Sequence, residues 1–332
     1  MSAGPAPPAA RRMRASVVVP VYYNAETLPE LVRRLQEVAA RLADVDFEFL
    51  FVDDGSRDGS FECLARASAS DPRVKALRLS RNFGSNVAIL AGLGRAQGDA
   101  ISVISADLQD PPELIPDMIE RFKAGAEAVL AARAKRSDPL LTRLFAAVFN
   151  RLFRWLAFSD FPAQGFDFML ISRRMALLIG QAAERNSYIF GQVMWLGFEK
   201  QVIYYERAER PSGRSRWTLF KKVKYFIDAF TAFSYLPIRA ASVVGFVLAF
   251  AGFLYAAVVL VLRLTHAIPV PGFSALIVVV LLIGGVQLIV TGLIGEYVWR
   301  VLEETRRRPP FVVAATLNLP EAERAPAGAA AS

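Results

Sequence analysis

The stretch Val103-Ile-Ser-Ala-Asp-Leu-Gln-Asp-Pro-Pro-Glu113 combines the end of a strand with a cluster of oxygen-bearing side chains. A mostly apolar run over residues 101–104 leads into a carboxylate, an amide and a second carboxylate at Asp107, Gln109 and Asp110. Two prolines then end the strand. Such a turn projects hard oxygen ligands, which suits Mg²⁺ or Mn²⁺ carrying a diphosphate. An ordinary capped strand-to-helix turn uses the same residue types, so the stretch alone leaves both interpretations open.

Composition narrows the class of protein. The chain has 332 residues, 54% of them hydrophobic, and its apolar residues are concentrated towards the C-terminus. The single cysteine, Cys63, allows no intrachain disulfide and fits a reducing compartment. The single histidine, His266, excludes histidine-rich zinc sites and argues against a histidine-based triad. The net charge of +8 fits nucleic acid, anionic lipid or an anionic substrate.

The N-terminal half alternates between strand and helix patterns. We predict strands at 16–20, 47–52, 74–79 and 101–104, and helices at 28–42 and 86–96. This order is typical of a parallel sheet covered on both faces, where ligands bind at the carboxyl ends of the strands. Three polar clusters fall at such ends: 22–24, 53–54 and 107–110. Their coincidence predicts a binding site at this edge of the sheet.

Two further carboxylate positions have functional and ordinary interpretations. Asp53 and Asp54, adjacent at a strand end, could bind the hydroxyls and amide of a nucleoside. They could equally form a simple turn in which Gly55 supplies a positive φ. Asp167 stands alone in the apolar segment 163–171, so we expect it to be paired, metal-bound or catalytic.

The C-terminal half carries membrane signals. Segments 240–262 and 273–295 are free of charged residues, and at about 1.5 Å per residue each is long enough to cross a bilayer. The preceding segment, 206–238, is basic and aromatic, as expected of an interfacial element that binds lipid phosphates. Single-stranded nucleic acid could use the same chemistry, but the adjacent spans argue against a nucleic-acid partner. Basic residues precede the first span and follow the second, which predicts that both of these ends lie in the cytosol.

Helix 139–158 is interpreted as either a core helix or a helix at the membrane surface.

Several motifs together resemble one enzyme family. They occur in this order: Pro20-Val-Tyr-Tyr-Asn24, Val52-Asp-Asp-Gly-Ser56, Ser80-Arg-Asn-Phe-Gly84, Asp107-Leu-Gln-Asp-Pro-Pro-Glu113, Asp167-Phe-Met-Leu170, Arg210-Pro-Ser-Gly-Arg-Ser215, Gly295-Glu-Tyr297 and Arg308-Pro309. The set resembles the family-2, GT-A-fold glycosyltransferases that load a sugar onto a polyprenyl phosphate. That group includes dolichol-phosphate mannose synthase and bacterial undecaprenyl-phosphate glycosyltransferases. The likeness covers roughly residues 15–312.

The resemblance implies an α/β, Rossmann-like GT-A fold. Its sheet would be mostly parallel with helices on both faces, followed by interfacial amphipathic helices and a C-terminal two-helix transmembrane hairpin. The implied organisation is a disordered N-terminal tail (1–14), a cytosolic catalytic domain (15–205), a basic interfacial segment (206–238), the hairpin (239–299) and a cytosolic tail (300–332).

The resemblance also implies roles for individual residues. The nucleotide-sugar site would contain Pro20, Tyr22, Asn24, Asp53, Asp54, Ser105 and Asp107. Catalysis would depend on Asp107 and Asp167, and Asp107 with Gln109 would hold Mg²⁺ or Mn²⁺. The acceptor and phosphate site would contain Arg133, Arg136, Arg210 and Ser215. Many relatives read Asp-Ala-Asp where this chain has Ser105-Ala106-Asp107, which removes one anionic metal ligand that Asp110 could partly replace.

The predicted function is that of an inverting hexosyltransferase of the inner, cytoplasmic membrane. It would move a sugar from a UDP- or GDP-sugar to undecaprenyl phosphate on the cytosolic face, making a lipid-linked donor for cell-envelope glycan or protein modification. A lipid phosphate is already an anion at neutral pH, so no strong base is required. Glycine-bearing spans predict a homo-oligomer.

Two alternatives stay open at this stage. A processive polysaccharide synthase would resemble Gln-x-x-Arg-Trp, whereas segment 213–217 lacks the glutamine and two spans are few for extruding a polymer. A degenerate transferase that serves as a membrane scaffold or partner for a sugar-lipid flippase is favoured only by Ser105.

Overall fold

The structure is a computed structural model that describes residues 12–134, 151, 154–155, 158–162, 164–182, 188–207, 236–265, 272–306 and 308–319. The predicted helix at 139–158 and the basic segment 206–238 lie largely outside the described residues. The same holds for Arg136, Arg210 and Ser215, whose predicted roles stay predictions. The chain divides into two compact units, one made of Met1–Lys224 with Pro309–Ser332 and the other of Tyr225–Arg308.

The first unit contains eight strands and six α-helices among its described residues. The strands are β1 (Met13–Val21), β2 (Val45–Asp53), β3 (Val74–Leu79), β4 (Ala100–Val103), β5 (Ala128–Arg133), β6 (Phe166–Ser172), β7 (Lys200–Tyr205) and β8 (Val313–Leu317). The helices are α1 (Leu28–Arg41), α2 (Ser60–Ser70), α3 (Ser85–Leu93), α4 (Ile115–Lys123), α5 (Arg173–Gln181) and α6 (Ile189–Trp195). A short 3-10 helix, Pro112–Leu114, precedes α4.

One sheet joins all eight strands in the order β7-β5-β6-β4-β1-β2-β3-β8. β1 pairs in parallel with β2 and β4, β2 with β3, and β5 with β7, whereas β6 and β8 run antiparallel to their neighbours. Six strands therefore run in one direction. This confirms the predicted α/β class with a mostly parallel sheet.

Helices cover both faces of the sheet. On one face α1, α2 and α4 pack over alternate strand residues such as Val17 and Val19. Leu28, Leu31 and Leu35 of α1 are fully buried there because their spacing places them on one side of the helix. On the other face α3 packs against β1 and β2 and also contacts α5 and α6.

The parallel register brings the strand ends to a common edge. Val21 at the end of β1 lies opposite Asp53, and Asp53 lies opposite Arg78 of β3. Arg133 at the end of β5 lies opposite Tyr205 at the end of β7. β6 runs the other way and begins at this edge. The loops that carry the predicted site residues therefore leave the sheet from one side.

Part of the predicted C-terminal tail, 300–332, forms a strand. β8 pairs antiparallel with β3, so residues 313–317 form an edge strand of the eight-stranded sheet. This pairing joins segments that are more than 230 residues apart in the chain. The five-residue strand is too short to show a clear periodic pattern. At the N-terminus β1 begins at Met13, just inside the predicted tail.

The second unit contains two long apolar helices. They are α7 (Leu236–Leu264, 29 residues) and α8 (Phe273–Thr305, 33 residues), which contact each other. Each is long and apolar enough to cross a membrane, over Ile238–Tyr255 and Leu282–Glu303. Large apolar side chains such as Phe253 and Leu288 are about three-quarters exposed, which is unfavourable in water and suits a lipid environment. The predicted two-helix hairpin agrees with these helices.

Gly92 provides a test of how α3 packs on β1. A Cβ atom at Gly92 would lie 2.3 Å from Cγ1 of Val18, so we expect Gly92→Ala to lower the free energy of unfolding by about 1–3 kcal/mol through overpacking. Thermal unfolding of the full chain in detergent measures this. Gly94→Ala is the matched control, because Gly94 is exposed, has an ordinary helical φ of −67° and has room for a methyl group. Equal melting temperatures for both variants would contradict the close packing.

Candidate functional site

Asp53 is a fully buried carboxylate at the end of β2. Its Oδ1 accepts a hydrogen bond from the backbone N–H of Ser56 at 3.0 Å, and its Oδ2 lies 3.6 Å from Nε of Arg78. Oδ2 has no hydrogen-bond partner among the described residues. Burial raises the pKa of Asp53. A buried acceptor without a hydrogen bond is costly, and a ligand N–H or hydroxyl would supply the missing donor.

Asp54 has a different position from Asp53. Its two carboxylate oxygens accept hydrogen bonds from the backbone N–H groups of Phe83 and Gly84, at 2.7 and 2.8 Å. Burial raises the pKa of Asp54 to about 6, although these two hydrogen bonds oppose that shift. Gly55 has a φ of +73°, and a Cβ there would lie 2.7 Å from the backbone carbon of Arg81. Asp54 therefore anchors the loop after β3 against the loop after β2.

The loop after β1 is tied to the same place. The backbone N–H of Tyr23 donates to Oγ of Ser56, and that of Asn24 donates to Oγ of Ser60, each at 3.0 Å. The side chain of Asn24 accepts from the backbone N–H of Tyr22. Tyr23 has a φ of +58°, a strained conformation that is often found at functional sites. Pro20, at the end of β1, is partly buried opposite Val52.

A cavity of about 520 Å³ opens between these loops. It is lined by Tyr22, Tyr23, Gly55, Ser56, Arg57, Arg78, Leu79, Ser80, Arg81, Asn82, Ala314 and Ala315. The lining includes three arginines, two tyrosines and no carboxylate, so it favours an anionic, partly aromatic ligand.

The turn after β4, within the stretch 103–113, forms a second cluster of polar side chains beside that of Asp53 and Asp54. Oγ of Ser105 lies 2.8 Å from Oδ1 of Asp107 and 2.6 Å from Oδ2 of Asp110. The hydroxyl has one proton and donates it to one carboxylate at a time. Oδ1 of Asp107 also accepts from the backbone N–H of Gln109 at 3.3 Å. Leu108 between them has a φ of +60°.

Asp110 connects this turn to the end of β7. It is fully buried, and its Oδ1 accepts hydrogen bonds from the hydroxyl of Tyr205 and from Nε of Arg207, the latter at 3.2 Å. Burial and the Asp110 charge raise the pKa of Tyr205. Both oxygens of Asp110 thus have partners in the chain, so the geometry favours a positioning role for Asp110 over the predicted compensation as a metal ligand.

Asp167 forms an ion pair with Arg133. Asp167 is the second residue of β6, and Arg133 ends the neighbouring strand β5. The Arg133 side chain is about nine-tenths buried, whereas about half of the Asp167 side chain is exposed. The expectation that this carboxylate is paired is therefore met, and its exposed portion can still face a ligand.

Arg207 interacts electrostatically with all three carboxylates of the second cluster. Burial lowers its pKa, but the charges of Asp110, Asp167 and Asp107 outweigh burial and raise it. Three carboxylates thus face two arginines, Arg207 and Arg133, across the ends of β4, β5, β6 and β7. The sequence prediction included Arg133, assigned Arg207 to the basic interfacial segment 206–238 and did not include Tyr205. The signal available in the sequence for this part of the site was a basic residue, Arg207, just after the end of a strand.

The cluster also bears on the predicted metal. Among the residues that the structure describes, no group of three His, Cys, Asp or Glu side chains could hold an ion. Mg²⁺ and Mn²⁺ need less from a protein, because they are commonly held by one or two carboxylates together with substrate phosphates and water. Asp107 and Gln109 offer hard oxygens beside a turn, so this donor set fits such an ion.

Comparison with known sequences identifies the family. Residues 16–176 match the profile described as glycosyl transferase family 2. The glycosyltransferase YkcC of Bacillus subtilis (strain 168) is 42% identical over 304 residues, which cover 91% of this chain and 94% of YkcC. The chain belongs to glycosyl transferase family 2. This membership confirms the predicted family and the predicted enzyme class, a hexosyltransferase.

Two other likenesses are informative to different degrees. The bactoprenol glucosyl transferase of Shigella phage SfV is 37% identical over 91% of this chain and 98% of its own length. The crystal structure of mannosyl-3-phosphoglycerate synthase from Rubrobacter xylanophilus is 20% identical, covers 65% of this chain and 71% of that one, and has a TM-score of 0.47. At that identity and TM-score, the likeness to the synthase says nothing about ligands.

Tyr205→Phe tests the link from β7 to the Asp107 turn. It removes one hydrogen bond to buried Asp110, and losing such a partner costs about 1–3 kcal/mol. We expect kcat of the glycosyl transfer to fall about tenfold, because Asp110 no longer holds Ser105 and Asp107 in place. Tyr204→Phe is the matched control, since Tyr204 is 65% exposed. An unchanged kcat for Tyr205→Phe would contradict the positioning role.

Proposed function

We propose that this protein transfers a hexosyl group from a UDP- or GDP-sugar to a polyprenyl phosphate on the cytosolic face of the cytoplasmic membrane. The main support is that Asp53, Asp107 and Asp167 lie along one edge of the sheet in a chain whose relatives over nearly its full length include bactoprenol glucosyl transferases. Nucleotide and acceptor would then meet at the carboxyl ends of the strands.

The order of the strands supports one orientation of the nucleotide sugar along the edge of the sheet. Asp53 and the arginine-lined cavity lie at β2 and β3, Asp107 follows β4, and Asp167 lies on β6. We infer that the nucleoside lies by Asp53, the diphosphate by Asp107, and the transferred sugar near Asp167. Pro20, Tyr22, Asn24 and Ser105 would shape the donor site from the adjoining loops.

The chemistry we propose is a single displacement. An oxygen of the lipid phosphate forms a bond to the anomeric carbon, the bond from that carbon to the diphosphate breaks, and the nucleoside diphosphate leaves. The configuration of the anomeric carbon is inverted. Because the attacking phosphate is already ionised, the protein's main contribution would be to hold it in line. Arg133, which is paired with Asp167, would balance the charge of the phosphate.

Asp107 and Gln109 would hold Mg²⁺ or Mn²⁺ near the diphosphate. When bound, such an ion would neutralise the charge that develops on the departing diphosphate. Ser105 would help by keeping Asp107 oriented, and Asp167 would orient the acceptor and balance charge without removing a proton. The predicted homo-oligomer and flippase partner stay predictions.

A donor screen tests this function directly. The full chain in nanodiscs is incubated with undecaprenyl phosphate, Mg²⁺ or Mn²⁺ and a panel of UDP- and GDP-sugars. We expect one donor to release its nucleotide and form a glycolipid with a single sugar. We expect Asp107→Ala to lower kcat by about 10²–10³-fold, as expected on loss of an electrostatic stabiliser. Asp117→Ala is the control, because Asp117 is a half-exposed carboxylate paired with Arg121.

The outcomes separate the alternatives. A polymeric product would favour a processive synthase. A folded protein that releases no nucleotide with any donor would contradict the transferase proposal and favour the scaffold.

The arrangement of α7 and α8 supports the proposed membrane topology. Residues up to Lys224 and those from Pro309 onward belong to the same compact unit, so two spans would return the chain to the side on which it started. In a Cys63→Ser background, we expect Gly272→Cys to react with an impermeant maleimide in intact cells. Thr305→Cys should react only after lysis. The reverse pattern would contradict a cytosolic catalytic unit.

A further inference from the structure

The wall of the arginine-lined cavity contains residues from the far end of the chain. Three of its sides are formed by the loops after β1, β2 and β3, and a fourth by Ala314 and Ala315 of β8. None of the motifs recognised in the sequence includes these alanines. β8 follows α8, so a segment beyond the second membrane-type helix contributes to a cavity built mainly by the first hundred residues.

β8 is held firmly against β3. Ala315 pairs with Arg78 and Val313 with Leu79, with a register shift between them. The backbone N–H of Ser80 donates to the carbonyl of Val312 at 2.9 Å, which holds the beginning of the strand.

Asn318 holds the end of the strand. Its side-chain amide donates to the carbonyls of Ser68 and Val74 at 2.7 and 3.0 Å. Asn318 has a φ of +53°, a conformation that asparagine adopts more readily than most residues. The strand is therefore fixed on both sides of the two alanines.

The contents of the cavity follow from its place in the sheet. Asp107 and Asp167 lie on the β4 and β6 side of β1, whereas the cavity lies on the β2, β3 and β8 side. Neighbouring strands are about 4.8 Å apart, so β2 and β4 are separated by about 10 Å. The position of the nucleoside rests on the proposed function. With the diphosphate near Asp107, the nucleoside would lie on the cavity side. Arg78, which contacts both Asp53 and the cavity, connects the two.

We propose that β8 is a specificity-determining wall of the nucleoside site. The methyl side chains of Ala314 and Ala315 set the room for the base and ribose, and the Asn318 amide holds that wall in place. Donor affinity then depends on the segment after α8, while the residues near the reacting atoms are unaffected. Substitutions here change the KM for the donor and leave kcat nearly unchanged.

The test measures binding of UDP and GDP by calorimetry, and donor KM and kcat, on the full chain in nanodiscs. Ala314→Val and Ala315→Val add bulk without disfavouring a strand. We expect both variants to lower the affinity for the nucleotide that the unmodified protein binds by about tenfold. We expect kcat to stay within twofold of its unmodified value. Thr316→Val is the control, because Thr316 lies on the same strand but does not line the cavity.

A second variant tests the strand without adding bulk. Asn318→Gly removes the amide and still accommodates the positive φ. We expect the KM for the donor to rise several-fold, with an unchanged kcat and an unchanged KM for the lipid. Melting temperatures report whether each variant is folded.

The outcomes separate this inference from the proposed function. If the unmodified protein turns over a donor and the folded variants all match its nucleotide affinity and donor KM, β8 does not form the site and this inference alone fails. If the unmodified protein binds neither UDP nor GDP and has no turnover, both proposals fail.

Discussion

Parallel pairing of β1 with β2 on one side and with β4 on the other is the constraint on which the site depends. It brings Val21 opposite Asp53 and carries the loop after β4 to the same edge. Three loops with little regular structure are thereby fixed in space by buried apolar strands. The hydrogen bonds of Asp54 to Phe83 and Gly84 then lock two of these loops together. Burial of the sheet thus stabilises a polar edge that would not form by itself.

Charge is arranged unevenly along that edge. The β2–β3 side has Asp53 beside Arg78 and a cavity rich in arginine. The β4–β7 side has three carboxylates, Asp107, Asp110 and Asp167, held by Arg133 and Arg207. A nucleotide sugar is anionic in its middle and neutral at its sugar end. In the proposed orientation the base lies at the arginine side, where guanidinium groups can pack against its ring, and the diphosphate lies at the carboxylate side, where a bound ion would neutralise its charge.

The sequence predicted β1 to β4 and the polar residues at their ends, because buried parallel strands leave apolar runs that end in turn residues. It could not separate Asp53 from Asp54. Both are carboxylates at a strand end, and only the loop after β3 shows that Asp54 accepts two backbone N–H groups.

Long-range contacts account for the other differences. Asp110 meets Tyr205 and Arg207 across nearly a hundred residues, and β8 meets β3 across more than two hundred. Local patterns of hydropathy or turn residues contain no information about such partners. The strand at 313–317 and the partners of Asp110 therefore could not be predicted from the sequence.

A structure of the full chain in nanodiscs, with Mn²⁺ and the nucleoside diphosphate of its active donor, tests the central claim most directly. The account predicts the base in the cavity beside Asp53 and the ion bound by an oxygen of Asp107. It also predicts that Asp110 keeps its contacts with Tyr205 and Arg207. A nucleotide bound away from Asp53, or an ion held by Asp110 with Asp107 uninvolved, would contradict the account.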